Sequence, residues 1–189
     1  MPHQVFDDMF PTSLVHDIEG VFTNFELDWH YIKYSSGQEA DYTVDPYSKD
    51  CPQMVHILYS NGWVSKYSEI IRTMLYFVQD KTDTHIKSIH RIKANLTVPD
   101  GTSDKHFNTP HTDHEKENFL SMVYYVNDSD GDTVLFNKFK EHENKKMEII
   151  DRIQPSRGRC VVFPSTQLHS STNPITFQNR IILNFVFEV

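Results

Sequence analysis

The chain is 189 residues long with 38% hydrophobic and 23% charged residues, enough apolar material for one domain with a packed core. Its 13 Phe and 9 Tyr favour a β-rich interior, and its net charge of −8 argues against a nucleic-acid partner. No apolar run approaches the roughly 20 residues of a membrane helix, no secretory signal is visible, and Cys51 and Cys160 are too few for a disulfide framework, so a soluble, cytoplasmic protein is expected.

The whole net charge falls in the first fifty residues, an acidic stretch that reads as a solvated extension or a surface for a basic partner. Within it, Thr12 or Ser13 after Pro11 could cap a short helix carrying Leu14, Val15, Ile18, Val21 and Phe22. Residues Tyr34 to Pro52, rich in Ser, Asp, Pro and Tyr, read as loop. Tyr67, Ile70, Ile71, Met74, Leu75 and Val78 then form one helical stripe, with Ser65 as its cap and Glu69 in its first turn.

After Thr84 the pattern becomes strands: Ile86–Val98, Phe119–Val126, Thr133–Phe136, Glu148–Ile153, Arg159–Phe163 and Arg180–Glu188. Turn signals at Pro99–Gly101, Asn127–Gly131, Pro155–Gly158 and Asn173–Pro174 separate them, and the mixed-charge run Lys138–Lys146 reads as an exposed loop. Short strands at this spacing indicate a sandwich or barrel. In the last strand Ile181, Leu183, Phe185 and Phe187 share one face and should meet a core layer, the Tyr67–Val78 helix being the candidate. The opposite face carries Arg180 and Asn184, and a buried arginine needs a partner, for which an acidic ligand would serve.

Among eleven histidines, one triplet has chemical company. His111-Thr112-Asp113 offers an imidazole and a carboxylate two residues apart, just ahead of a strand. His169 follows the strand Arg159–Phe163, and Arg180 lies eleven residues beyond it. Two histidines and one carboxylate form the facial triad of non-haem Fe(II) oxygenases, leaving positions open for an anionic bidentate co-ligand that Arg180 could clamp. His114 should point away from Asp113, Cys160 reads as a small buried hydrophobe, and the other histidines lack supporting spacing.

From about Ile89 onward the residues resemble the 2-oxoglutarate- and Fe(II)-dependent oxygenases, within them the prolyl 4-hydroxylase-like branch. The His-x-Asp is similar to His111-Thr112-Asp113, and the following strand to Tyr124-Tyr125-Val126-Asn127. Gly131-Asp132-Thr133 resembles the family's turn, one residue shorter, and Pro155 to Phe163 its Pro-x-x-Gly strand. His169, Pro174-Ile175 and Arg180 complete the order, while Ile182 stands where some relatives carry serine.

The resemblance implies a mainly β double-stranded β-helix, the cupin-like jelly roll, with N-terminal helices packed on one sheet. It implies a single domain over 1–189, with 1–84 as a helical and loop region and 85–189 as the core carrying the metal site. It implies Fe(II) on His111, Asp113 and His169, dioxygen, 2-oxoglutarate held by Arg180 and Tyr125, contacts from Asn184 and Asn95, and ascorbate as reductant. The expected activity is hydroxylation of a C–H bond in a peptidyl substrate, prolyl among them, or in a small molecule, with succinate formed from 2-oxoglutarate. A non-catalytic cupin-like module that binds a ligand through its metal is the alternative. No nucleic-acid or membrane partner is expected, and substrate identity is left open.

Overall fold

A computed structural model describes residues 2–34, 51–101, 106–139 and 147–189. In chain order the elements are β1 (Gln4–Phe6), α1 (Thr12–Phe22), β2 (His30–Ile32), β3 (Gln53–Ser60), α2 (Ser68–Thr82), β4 (Ser88–Thr97), β5 (Phe119–Tyr125), β6 (Thr133–Phe139), β7 (Ile149–Ile153), β8 (Cys160–Pro164), β9 (Gln167–Ser171) and β10 (Arg180–Glu188). They build a seven-stranded sheet, β1-β8-β5-β10-β4-β3-β2, and a three-stranded sheet, β7-β6-β9. Every pairing is antiparallel, and the two sheets face each other as a jelly roll.

The period-two alternation of the strands decides which side chains meet which layer. On β10, Ile181, Leu183, Phe185 and Phe187 face the helices, joining Ile18 and Phe22 of α1 and Ile71, Met74 and Val78 of α2 in the main core. The expected partnership of that face with the second helix is therefore present. Ile182 points the other way, into a smaller core where Val123, Tyr125, Val161 and Phe163 meet Leu135 and Ile153 of the three-stranded sheet. Both faces of β5 are buried along its whole length, as the uninterrupted run Phe119–Tyr125 requires. Phe185 is fully buried, so its truncation to alanine would cost about 3–5 kcal/mol.

Both helices lie where their stripes place them, but their caps differ from expectation. Pro11 occupies the start of α1 and its carbonyl accepts from Val15 N at 3.1 Å, which draws Thr12 and Ser13 into the helix. Helix α2 starts at Ser68, and neither helix has a side-chain cap. The hydroxyl of Ser65 is taken instead by His56 Nε2 at 2.8 Å and by the backbone N–H of Tyr67 at 3.2 Å.

Four strands were not foreseen. β1, β2 and β3 come from the stretch read as helix and loop, and β9 from a polar segment, QLHSS, with little strand propensity. Each is a strand because a neighbour pairs with it: β1 adds to β8, β3 to β4, and β9 to β6. β6 runs on to Phe139, so the expected loop from Lys138 begins later, and most of it lies outside the described residues, as does 35–50 of the expected Tyr34–Pro52 loop. Among the described residues no helix is long and apolar enough to cross a membrane.

Candidate metal and co-substrate site

The segment between β4 and β5 is stitched to β9 by its backbone. His111 and His169 exchange N–H···O bonds, both at 2.9 Å, as a directly opposed antiparallel pair. Asn108 N donates to Ser171 O at 2.7 Å, and Asp113 N to Ser165 O at 3.0 Å. That pairing puts the two imidazoles on one side, ring centroids 4.5 Å apart, and brings Asp113 across to them. The donor atoms of His111, Asp113 and His169 lie within 4.8 Å of one another, close enough to converge on one ion.

Hydrogen bonds set which ring nitrogen faces inward. His111 Nδ1 donates to Thr109 O at 3.1 Å, and His169 Nδ1 to Gln167 O at 3.0 Å. In each ring this leaves Nε2 as the nitrogen that can face a metal. Burial, followed by the neighbouring His169, pushes His111 down to about 4, so its ring is neutral at physiological pH.

Asp113 is buried, and three side chains hold it. Ser121 Oγ donates to Oδ2 at 2.7 Å and Asn184 Nδ2 to the same oxygen at 3.2 Å, while Arg91 Nη2 reaches Oδ1 at 2.9 Å. Burial alone would raise this carboxyl, but His169, Arg91, His111 and the Ser121 hydroxyl outweigh it and hold the group well below the usual carboxylate range. Asp113 is therefore an anion throughout the physiological range.

Arg180 sits in the same cavity, on the first residue of β10 and only 3% exposed. Its Nε donates to Gly131 O at 2.6 Å and its Nη2 to Thr133 Oγ1 at 2.9 Å, and among the described residues no carboxylate lies within ion-pair distance of it. Burial lowers its pKa from the usual value, yet guanidinium stays protonated. The stem of Arg180 runs so close to Gly131 that a Cβ there would sit 2.9 Å from Arg180 Cδ and 2.7 Å from Thr172 O. A turn at this position thus needs glycine for its lack of a side chain.

The remaining residues singled out from the sequence are placed as follows. The Tyr125 ring lies 5.7 Å from the Arg180 guanidinium, and its hydroxyl, raised to about 12 by burial, donates to Thr133 Oγ1 at 2.7 Å. Tyr125 thus backs Arg180 and does not line the cavity. Asn184 bridges Asp113 and Arg91 and is not a neighbour of Arg180 in hydrogen bonding. Asn95 lines the cavity, and its buried Oδ1 has no partner. His114 stacks on Phe119, centroids 3.7 Å apart, outside the triad, and Cys160 is packed in the main core.

Four contributors were not anticipated: Arg91, Lys93, Ser121 and Thr133. Strand parity carried the signal for the first two. In β4, Ile92 and Ala94 are fully buried in the helix-facing core, so Arg91, Lys93 and Asn95 must face the cavity side, just as Arg180 and Asn184 do on β10.

A model of the 2OG-Fe(II) oxygenase superfamily matches residues 94–188, half of the chain. No curated protein matches the sequence. Among solved structures, an oxidoreductase of the 2OG-Fe(II) oxygenase family from Burkholderia pseudomallei superposes with a TM-score of 0.66 at 14% identity, over 98% of this chain and 84% of the other. A Trichoplax adhaerens prolyl hydroxylase, solved with a peptide fragment of the hypoxia inducible factor oxygen degradation domain, gives 0.62 at 12% identity over 98% and 83%. A Pseudomonas putida prolyl-4-hydroxylase gives 0.55 at 15% identity over 99% and 92%. Identities this low speak for a shared fold alone.

Proposed function

The chain belongs to the 2OG-Fe(II) oxygenase superfamily, and on that premise we propose that it is a dioxygenase hydroxylating a C–H bond of a peptidyl or small-molecule substrate. The observation that carries the reading is Arg180, a buried cation without a carboxylate partner among the described residues, in one cavity with His111, Asp113 and His169. An unpaired buried charge costs several kcal/mol, a cost relieved when an anion arrives. A binding module without turnover would share barrel and triad but has no use for that guanidinium.

The donor set suits Fe(II): two imidazoles whose Nδ1 atoms are held by backbone carbonyls so that Nε2 is left for a metal, one ionised carboxylate, and open cavity on the remaining side. When bound, iron and 2-oxoglutarate supply the oxidising chemistry, in which one oxygen of O2 enters succinate with release of carbon dioxide and the other converts C–H to C–OH. The protein's part is binding and orientation. Thr109 O and Gln167 O keep the two imidazoles turned, while Ser121, Asn184 and Arg91 keep Asp113 charged and fixed. Arg180 receives the distal carboxylate of 2-oxoglutarate, its fork aimed by Gly131 O and Thr133 Oγ1 and flanked by the Tyr125 ring. Asn95, with an amide oxygen lacking a partner, can turn its amide toward the proximal end of the same molecule. Prolyl hydroxylases among the structural neighbours keep a peptidyl proline in view as substrate.

The test is release of succinate from 2-oxoglutarate by the purified protein with Fe(II), dioxygen and ascorbate, measured beside thermal stabilisation by 2-oxoglutarate. Stabilisation together with slow uncoupled release is the expected result. Absence of both refutes the reading.

A further inference from the structure

Lys93 has no part in that account. It lines the cavity from β4, and cross-strand pairing places it opposite Asn184, whose amide donates to Asp113 Oδ2 at 3.2 Å. Directly paired residues hold their Cβ atoms about 5 Å apart, so the lysine rises beside the carboxylate of the triad. Both oxygens of Asp113 are already engaged, Oδ1 by Arg91 and Oδ2 by Ser121 and Asn184. Among the described residues Lys93 has no hydrogen bond or ion pair of its own. Burial, with the Arg91 charge two residues away, pushes its ammonium down to about 8, against partial support from Asp113. It is charged at neutral pH with only that partial support, a costly arrangement in a site that could have carried methionine.

We propose that Lys93 reads an anionic group, a carboxylate or phosphate, carried by the primary substrate close to the C–H bond that is oxidised. The inference rests on the oxygenase reading above. The two carboxylates of 2-oxoglutarate are accounted for, one by Arg180 and the other by the metal. Once iron is present, Arg91, Lys93, Arg180 and the metal outweigh the negative charge of Asp113 and the co-substrate. An anion on the remaining component, the substrate, would offset that excess. Its acidic group meets Lys93, and the adjacent carbon is then presented to the metal across Asn184. A neutral analogue of the same shape leaves the lysine unpaired and is rejected.

The experiment measures succinate release by the Fe(II)- and 2-oxoglutarate-loaded protein with matched pairs of compounds. These are amino and hydroxy acids, N-acetylated Asp and Glu dipeptides and small phosphate esters, each beside its amide or neutral counterpart. Stimulation above the uncoupled rate is compared for wild type, Lys93→Met and Lys93→Arg, and affinity for 2-oxoglutarate with Mn(II) is measured by calorimetry for all three. The expected result is stimulation by acids over their neutral partners. That preference falls at least tenfold in Lys93→Met and is restored in part by Lys93→Arg, with 2-oxoglutarate affinity within threefold of wild type, which also reports that the variants are folded. The proposal is overturned if no acid exceeds its neutral partner or if the preference survives Lys93→Met. It is overturned equally if Lys93→Met loses 2-oxoglutarate affinity tenfold, because the lysine then belongs to the co-substrate. Failure of wild type to bind 2-oxoglutarate at all instead refutes the oxygenase reading itself.

Discussion

Replacing Arg180 with methionine keeps a long apolar stem in the cavity wall and removes the buried charge. In the ligand-free protein the change is nearly neutral: two donors, to Gly131 O and Thr133 Oγ1, are lost, and the cost of an unpaired buried cation is relieved. The effect on 2-oxoglutarate is large. A charge-assisted hydrogen bond contributes about 1.5–3 kcal/mol, so loss of a two-pronged guanidinium contact removes about 3 kcal/mol, roughly 100-fold in Kd. At a concentration 100 times the wild-type Kd, ligand stabilises wild type by about 2.7 kcal/mol; for the variant that concentration is near its own Kd and the gain falls to about 0.4 kcal/mol. For a chain of this size 1 kcal/mol moves Tm by about 2–4 °C, so a wild-type shift of about 5–10 °C shrinks to about 1 °C. Thermal unfolding with Mn(II), which keeps the site loaded without turnover, reads both values. A variant whose 2-oxoglutarate affinity stays within threefold of wild type removes Arg180 as the carboxylate anchor.

Lys93→Met should stabilise the ligand-free protein at neutral pH. The folded pKa of about 8 lies below the ordinary 10.5, so the charged amine destabilises the fold fully below pH 8, and the penalty fades as pH rises toward 10.5. The upper bound is about 3 kcal/mol at pH 7, read by urea denaturation of variant against wild type, and a gap that does not narrow by pH 10 contradicts it. Asp113→Asn leaves Arg91 beside a neutral amide and removes an anionic ligand, so Mn(II) binding should fall at least tenfold in calorimetry with about 2–4 kcal/mol of stability lost; unchanged Mn(II) affinity would remove Asp113 from the metal site. Gly131→Ala forces a methyl against Thr172 O and Arg180 Cδ, and a loss of about 1–3 kcal/mol should come with weaker 2-oxoglutarate binding; a variant equal to wild type in both would show that the turn yields. Met74→Ala opens the helix-facing core, far from the cavity, and should cost about 2–5 kcal/mol in urea denaturation while Mn(II)-dependent 2-oxoglutarate affinity is kept.

Residue type and order were enough for the parts of this protein that depend on near neighbours in the chain. The stripe from Tyr67 to Val78 made a helix, and the two faces of Arg180–Glu188 separated an apolar layer from a polar one. His111, Asp113, His169 and Arg180 stood out because their chemistry and order are unusual together. Pairing between distant segments was needed for the rest. β9 is a strand because β6 runs beside it, and His169 meets His111 because their backbones exchange hydrogen bonds across 57 intervening residues. Asn184 shares a face with Arg180 by parity, yet it faces Asp113 and Arg91, because β4 and the His111–Asp113 segment arrive on that side of β10. Lys93 and Arg91 could be assigned to a face by alternation alone, but whether that face meets solvent, core or cavity is settled by what lies opposite. Local sequence carries the periodicity of an element, whereas burial and charge pairing are properties of the assembled layers, and those depend on contacts no single segment contains.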